Sequence, residues 1–151
     1  MAHHRKYSAD GEQNVDSSTD SILGITATSA VEPSIYFVSL GSEATPADNA
    51  IVWYAGRHTA AGTATSVTPQ NLGPSTTAST TTAGENHTAE PTYTSNAILF
   101  RLGLNQRAAH SIILDPDGGL TAPATANNGI TFYPVHASFT GLLSMLIHFC
   151  E

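Results

Sequence analysis

Residues 97–104, with the sequence Ala-Ile-Leu-Phe-Arg-Leu-Gly-Leu, carry the clearest structural pattern in the chain. Ile98, Phe100, Leu102 and Leu104 are separated by single residues, so an extended backbone places these four side chains on one face. An apolar pattern with a period of two predicts a β-strand that buries one face. We therefore expect the chain to fold around paired strands.

Short apolar segments separated by turn residues extend this pattern in both directions along the chain. Glycine, proline, asparagine and aspartate in the intervening segments favour turns and loops. No segment has the sustained apolar stripe of a helix. The pattern predicts a single all-β domain, an antiparallel β-sandwich of jelly-roll type. The predicted strands are 21–29, 34–40, 50–54, 63–68, 97–104, 108–114, 130–137 and 139–149.

Composition and charge exclude several classes of protein. The chain has 151 residues, enough for one domain with its own core. A net charge of −7, from 12 acidic and 5 basic side chains, disfavours direct nucleic-acid binding. The lone Cys150 cannot form an internal disulfide. No apolar run approaches the about 20 residues that span a bilayer, so we expect no membrane association.

Two segments lack the strand pattern and are expected to lie outside the compact fold. Residues 1–20 are polar and aperiodic and are predicted to form a flexible N-terminal arm, which leaves 21–151 as the sandwich domain. Within 57–96 the sizeable apolar residues are Val67, Leu72 and Tyr93. We predict a long Thr/Ser-rich loop at about 69–96 that contacts a partner, because its composition cannot bury enough apolar surface alone.

The sequence contains no pattern that indicates catalysis or a cofactor. The seven histidines lack metal-ligand spacing, and no nucleophile motif is present. Residues 115–119, Asp-Pro-Asp-Gly-Gly, resemble the start of a calcium loop, but Ala126 occupies the position where such a loop needs a bidentate glutamate. We expect a plain turn there, no metal, no cofactor and no enzymatic activity.

Aromatic and basic residues suggest two kinds of contact surface. Exposed aromatic rings would form a carbohydrate-binding platform, the candidates being Trp53, Tyr54, Tyr36 and Tyr133. Arg57, Arg101 and Arg107 lie at or beside predicted strands. They form either rim ion pairs with Asp48, Glu90 or Asp115, or the anchors of a subunit interface, for which arginine is well suited.

Four segments are similar in order and texture to small structural proteins of tailed-bacteriophage virions. They are 57–69 (Arg-His-Thr-Ala-Ala-Gly-Thr-Ala-Thr-Ser-Val-Thr-Pro), 90–94 (Glu-Pro-Thr-Tyr-Thr), 105–108 (Asn-Gln-Arg-Ala) and 123–130 (Pro-Ala-Thr-Ala-Asn-Asn-Gly-Ile). The resemblance extends over about residues 20–151 and carries no catalytic residues.

This resemblance implies a non-enzymatic protein on the capsid surface that decorates or cements the shell. The implied partners are the major capsid protein and further copies of the same chain, in a homo-oligomer such as a trimer. A tail-tube or head–tail joining component remains open, as does a carbohydrate-binding module.

Overall fold

The alternating segments form β-strands, as the sequence predicts. A computed structural model describes residues 5–16, 20–115, 117–135 and 140–151, and within these ranges the chain forms twelve strands and no helix. The strands are β1 (Lys6–Val15), β2 (Leu23–Thr26), β3 (Ser34–Ser42), β4 (Ala50–Ala60), β5 (Thr63–Val67), β6 (Gln70–Asn71), β7 (Thr82–Ala89), β8 (Thr92–Asn105), β9 (His110–Ile113), β10 (Leu120–Thr121), β11 (Gly129–Val135) and β12 (Gly141–Cys150).

Two six-stranded antiparallel sheets pack face to face, which confirms the predicted all-β sandwich. In sheet A the order is β10-β3-β12-β1-β6, and β9 also pairs with β3. In sheet B the order is β5-β7-β2-β11-β4-β8. The chain crosses between the sheets at each step from β1 to β4 and again from β11 to β12. The jelly-roll type of this sandwich stays a prediction.

The core lies between the two sheets and is supplied by alternate residues of each strand. Strand β12 contributes Leu143, Met145, Ile147 and Phe149, all buried, while the residues between them face outward. Burying apolar surface at about 25 cal/mol per Å² is the main favourable contribution to this packing. The largest buried side chains from the other strands include Tyr7, Trp53, Phe132, Leu23, Leu40 and Ile51.

The predicted N-terminal arm over 1–20 is wrong for the residues of β1. Strand β1 lies inside sheet A and pairs with β12 over ten residues, from Lys6 opposite Cys150 to Val15 opposite Gly141. Its inward-facing residues include Gly11, which has no side chain, and Gln13, which is polar. The sequence of this strand therefore shows no clear alternation of apolar residues. Residues 1–4 and 17–19 lie outside the described part of the chain, as do 136–139 of two predicted strands.

The predicted loop at 69–96 is also largely strand. Strands β6, β7 and the start of β8 occupy most of it, which leaves 72–81 as the irregular part. The tract is fixed by the carboxylate of Glu151, which accepts hydrogen bonds from the N–H groups of Thr80 and Thr81, both at 3.0 Å. The hydroxyls of Ser79 and Thr81 donate to the same carboxylate, and Arg5 pairs with it at 3.5 Å.

These bonds decide the ionisation of Glu151. Burial by itself raises the pKa of this carboxyl, but the hydrogen bonds from Thr80, Thr81 and Ser79 outweigh burial and hold the pKa below its usual value. Glu151 is therefore charged at neutral pH and ties the Thr-rich tract to the sandwich.

Residues 97–104 lie in β8, an edge strand of sheet B, and they differ from the predicted pattern at one position. Phe100, Leu102 and Leu104 pack against the core as predicted. Between Ala55 and Gly56 of β4 the register shifts, so Leu99 packs on the core while Ile98 is 51% exposed. A bulge thus moves one of the four predicted core residues to the surface.

A close approach between the sheets depends on Gly11 of β1. The N–H of Glu12 donates to the carboxylate of Glu85 at 2.8 Å, so β7 covers the edge of β1. A Cβ at position 11 would lie 2.7 Å from the Cβ of Glu85, closer than two such atoms can pack. Glycine at this position allows the two sheets to meet at this edge.

We therefore expect Gly11→Ala to lower the free energy of unfolding by about 1–3 kcal/mol, since the clash involves an atom fixed to the β7 backbone. The measurement is denaturant unfolding followed by circular dichroism. Gly103→Ala in β8 is the matched control, because a Cβ there would meet nothing within 4 Å. Equal stabilities of the two variants would contradict the proposed close approach.

Candidate functional site

The outer face of sheet A, formed by the outward side chains of β1, β3, β9 and β12, is the candidate functional surface. Its most apolar part arises from a bulge in β3, where His148 lies opposite Phe37 but Phe149 lies opposite Ile35. Because of the bulge, Tyr36 has no residue opposite it on β12, and the two consecutive rings of Tyr36 and Phe37 both lie near the imidazole of His148. The Phe37 and His148 rings stack with centroids 4.7 Å apart, and Tyr36 lies 6.0 Å from His148.

Ile113 extends this apolar surface at the next strand. It lies opposite Phe37 in the β3–β9 pair and is 81% exposed. Ile112 beside it is half-buried, so the exposure belongs to the outward side of β9. An isoleucine this exposed beside two aromatic rings forms a contiguous apolar patch, which on soluble proteins often marks an interaction site. We call Tyr36, Phe37, Ile113 and His148 the apolar end of the face.

The other end of the face is concave and acidic. A groove of about 460 Å³ has small outward residues along its floor, Ser39, Gly41 and Ser144. Ala109 lines the groove from the loop before β9, and Asp10, Glu12 and Glu43 also line it. These small residues lie on two neighbouring strands, β3 and β12, and account for the depression. We call this the groove end of the face.

The charges on β1 follow the same division. Lys6 lies at the apolar end, where its Nζ atom is 5.5 Å from the centroid of the Tyr36 ring. Asp10 and Glu12 are exposed further along the same strand, on the same face. At roughly 3.4 Å per residue, Lys6 and Glu12 are about 20 Å apart. One face therefore has a basic, bulky end and an acidic, concave end.

The three predicted interface arginines do not lie together on one surface element: two belong to different strands and the third to a loop. Arg57 and Arg101 belong to sheet B, where the Arg101 guanidinium lies 5.4 Å from the centroid of the Tyr54 ring. Arg107 follows β8 and donates from Nε to the carbonyl of Pro46 at 3.3 Å. Arg107 precedes Ala109, a residue that lines the groove, by two positions in the chain.

The predicted rim ion pairs of these arginines are wrong. In the part of the chain that the structure describes, the ion pair present is that of Arg5 with Glu151. Glu90 instead accepts a hydrogen bond from the N–H of Ser21 at 3.0 Å and another from the Ser21 hydroxyl. Asp48 accepts from Asn105. The proposal that the arginines anchor a subunit interface stays a prediction.

The remaining candidate residues have structural roles. The turn predicted at 115–119 is present, since the N–H of Gly118 donates to the carbonyl of Asp115 at 3.1 Å; Pro116 lies outside the described residues. Ser21 was not among the predicted site residues; it is fully buried, and its hydroxyl contacts Glu90 and Tyr93. Among the described residues, no group of three possible metal ligands occurs.

The aromatic platform predicted for carbohydrate binding does not form as a unit. Trp53 is buried in the core at 2% exposure, and Tyr36 lies on sheet A. Tyr54 and Tyr133 remain together on the outer face of sheet B, with ring centroids 5.5 Å apart. Two of the four predicted rings therefore share a surface.

Two buried histidines, His58 of β4 and His87 of β7, are the groups that sequence reasoning missed. Burial, with a smaller contribution from neighbouring His87, lowers the pKa of His58 to about 4. Burial also lowers the pKa of His87, against the opposing effects of the Ser21 carbonyl and Glu90.

The described segments contain no helix that could cross a membrane.

Comparison with known proteins adds no relative: no protein-family model, no curated protein and no solved structure matches the chain.

The burial of Trp53 predicts its fluorescence. As the one tryptophan of the chain, it should emit at short wavelength and resist quenching by iodide or acrylamide in the folded protein. Unfolding in denaturant should shift the emission to longer wavelength and restore quenching, which supplies the control. Strong quenching of the native protein would place the indole at the surface and restore it as a platform residue.

The lowered pKa of His58 predicts a loss of stability in mild acid. The unfolded chain takes up protons on histidine near pH 6.5, while the folded protein takes up none on His58 until about pH 4. The free energy of unfolding should therefore fall as the pH drops from about 6.5 to about 4, by about 3 kcal/mol from His58 at most.

Urea unfolding at a series of pH values between 7 and 5 measures this slope. His58→Asn should lower stability at pH 7 and reduce the slope, because the unfolded chain then gains one proton fewer. His110→Asn, at an exposed position of β9, controls for the loss of an imidazole. A slope unchanged by the His58 substitution would show that other groups account for it.

Proposed function

We propose that the protein is a non-enzymatic structural subunit of a tailed-bacteriophage virion, which assembles through its own copies and decorates or cements the capsid surface. The observation that carries the proposal is the outer face of sheet A, which no other described segment of the chain covers, with Ile113 81% exposed beside the rings of Phe37 and His148. A surface of this kind supports association with another protein. The resemblance of the sequence to small virion proteins supports the phage context.

A second copy of the chain is the occupant that best fits this face. If two copies pack face to face with antiparallel β1 strands, the apolar end of one meets the groove end of the other. The bulky side chains of Phe37 and Ile113 then enter a depression of about 460 Å³ floored by small residues. Such isologous packing repeats each contact twice about a two-fold axis.

The charges on β1 support the same arrangement. In the antiparallel pair, Lys6 of each copy faces the Asp10 and Glu12 end of its partner. A parallel arrangement would instead bring the carboxylates of the two copies together, which opposes association. Complementary charge chiefly sets orientation and association rate. The pattern favours a two-fold pair over the trimer expected from the resemblance.

Attachment to a capsid would use surfaces that the pair leaves exposed. The irregular tract within 72–81 is exposed over most of its length, and β8 leaves one edge unpaired in sheet B. An unpaired strand edge presents backbone groups to another chain. Two such surfaces on a pair bind a repetitive shell with avidity, so each contact can be weak. A tail or connector subunit would use the same surfaces.

The first test measures the mass of the purified protein in solution by light scattering and by sedimentation. We expect a dimer in the wild type. Ile113→Asp and Phe37→Asp should each weaken association about 100-fold, because a charge is then placed in the apolar centre of the interface. Ile98→Asp is the matched control, since Ile98 is also exposed but lies on sheet B.

Charge reversal tests the antiparallel orientation. Lys6→Glu should weaken the dimer, and Glu12→Lys in the same chain should restore it. Added salt should weaken the restored dimer by screening attraction and strengthen the single variant's dimer by screening repulsion. A monomeric wild type, or dissociation caused by Ile98→Asp but not by Ile113→Asp, would overturn the sheet A interface. A stable trimer would overturn the two-fold arrangement.

The second test asks where the protein binds. Capsids of a tailed phage that encodes the chain, assembled without it, are mixed with the purified protein and viewed by negative-stain microscopy. Regular projections on the shell support decoration. Rings or tubes formed by the protein alone would assign it to the tail or the connector. If neither projections nor rings or tubes are seen, the proposed virion role is wrong.

A further inference from the structure

The outer face of sheet B carries a second concavity, a pocket of about 210 Å³. Gly24 of β2 pairs with both Gly84 of β7 and Thr131 of β11, so two of the three neighbouring positions lack a side chain. A Cβ on Gly24 would lie 2.5 Å from the hydroxyl oxygen of Thr131. The glycines therefore create the space, and residues of the β4–β5 segment line it from the side.

The first imidazole of the pocket is held by two hydroxyls. His58 contacts the hydroxyl of Thr131 through Nδ1 at 2.8 Å and the hydroxyl of Thr26 through Nε2 at 3.3 Å. A neutral imidazole has one donor and one acceptor nitrogen, so one threonine donates to the ring and the other accepts from it. Both threonines line the pocket. Thr131 is fully buried, whereas Thr26 is half-buried and has an accessible hydroxyl-bearing side chain.

The second imidazole has a nitrogen with no partner among the described residues. His87 Nδ1 lies 3.1 Å from the carbonyl oxygen of Ser21, and a carbonyl only accepts, so Nδ1 carries the proton. Nε2 is then a lone-pair acceptor. The residue is 8% exposed and lines the pocket. A buried acceptor without a donor costs free energy, so this nitrogen favours a ligand that donates a hydrogen bond.

The lining restricts the charge of that ligand. The pocket is lined by hydroxyls, small residues and the two imidazoles, without lysine, arginine, aspartate or glutamate. Burial lowers the pKa of both histidines, so the lining is neutral at pH 7. The lining itself therefore carries no formal charge, which favours a neutral ligand over an ion.

A metal ion fits less well than a neutral ligand. Zinc sites in proteins use three or four protein ligands, and the described residues hold no such group. Both nitrogens of His58 are already engaged by threonine hydroxyls. One lone pair, on His87, remains for coordination.

We propose that this pocket binds the terminal residue of a neutral glycan, with one sugar hydroxyl donating to His87 Nε2 and another bonding to Thr26. Its volume matches about seven water molecules at roughly 30 Å³ each, which suits one sugar ring rather than a chain. On the same face, Tyr133 lies two residues beyond Thr131, with Tyr93 4.5 Å away and Tyr54 5.5 Å away. These rings would border the next residue of the glycan.

Saturation-transfer NMR with glucose, galactose, mannose and N-acetylglucosamine, each at millimolar concentration, tests the proposal on the full chain. Nitrogen-detected imidazole spectra report which histidine responds. We expect at least one of these sugars to receive saturation and to shift the Nε2 resonance of His87. The variant Ile113→Asp serves as a second background, so that the result does not depend on self-association.

His87→Asn is the decisive variant, because its side-chain amide can still donate to the Ser21 carbonyl while the Nε2 acceptor is removed. We expect binding about tenfold weaker, with the fold verified by thermal unfolding. Thr26→Val should weaken binding independently, since it removes the hydroxyl of the half-buried threonine in the lining. His110→Asn on sheet A is the matched control and should bind as the wild type does.

Three outcomes would overturn the glycan pocket. One is the absence of any response to all four sugars in a folded protein. Another is equal binding by wild type and His87→Asn. The third is a stoichiometric shift of both imidazoles by zinc chloride together with no response to sugars, which would identify a metal site instead.

Discussion

The pairing of β1 with β12 is the constraint on which the rest of the structure depends. It joins residues 6–15 to residues 141–150, places both strands in the middle of sheet A and orients the outward residues of each. Because side chains alternate along a strand, a slip of β1 by one residue would bury Lys6 and Asp10 and expose Tyr7 and Ala9. The pairing therefore fixes the core and the outer face together.

The two sheets use their outer faces differently because different residues occupy the central strands. Sheet A has aromatic and aliphatic side chains at one end and small or acidic ones at the other, a division that suits contact between large surfaces. Sheet B has glycines and threonines around two buried imidazoles, which makes a small polar concavity. Buried polar groups are costly unless they are hydrogen-bonded, and the Thr26–His58–Thr131 contacts meet this requirement.

Sequence reasoning succeeded where the apolar alternation was strong and failed where small or polar residues took its place. The strands around Phe37 and Trp53 have consecutive large apolar residues, the strand around Leu102 has them at alternate positions, and all three were predicted. Strand β1 buries Gly11 and Gln13, and Gln13 is satisfied by a hydrogen bond from its amide to the carbonyl of His87 at 3.0 Å. That partner is 74 residues away, so no local pattern could reveal that position 13 is buried.

The sequence by itself determined the all-β class, the sandwich, most central strands and the turn at Asp115, since these follow from local periodicity and backbone preference. Only the tertiary structure decided which outward residues meet. The bulge that brings Tyr36 and Phe37 to His148, the groove beside Glu12, and the pocket of His58 and His87 each combine residues from strands distant in the chain. Strand order and register place them together, and these depend on long-range packing that a single sequence does not display.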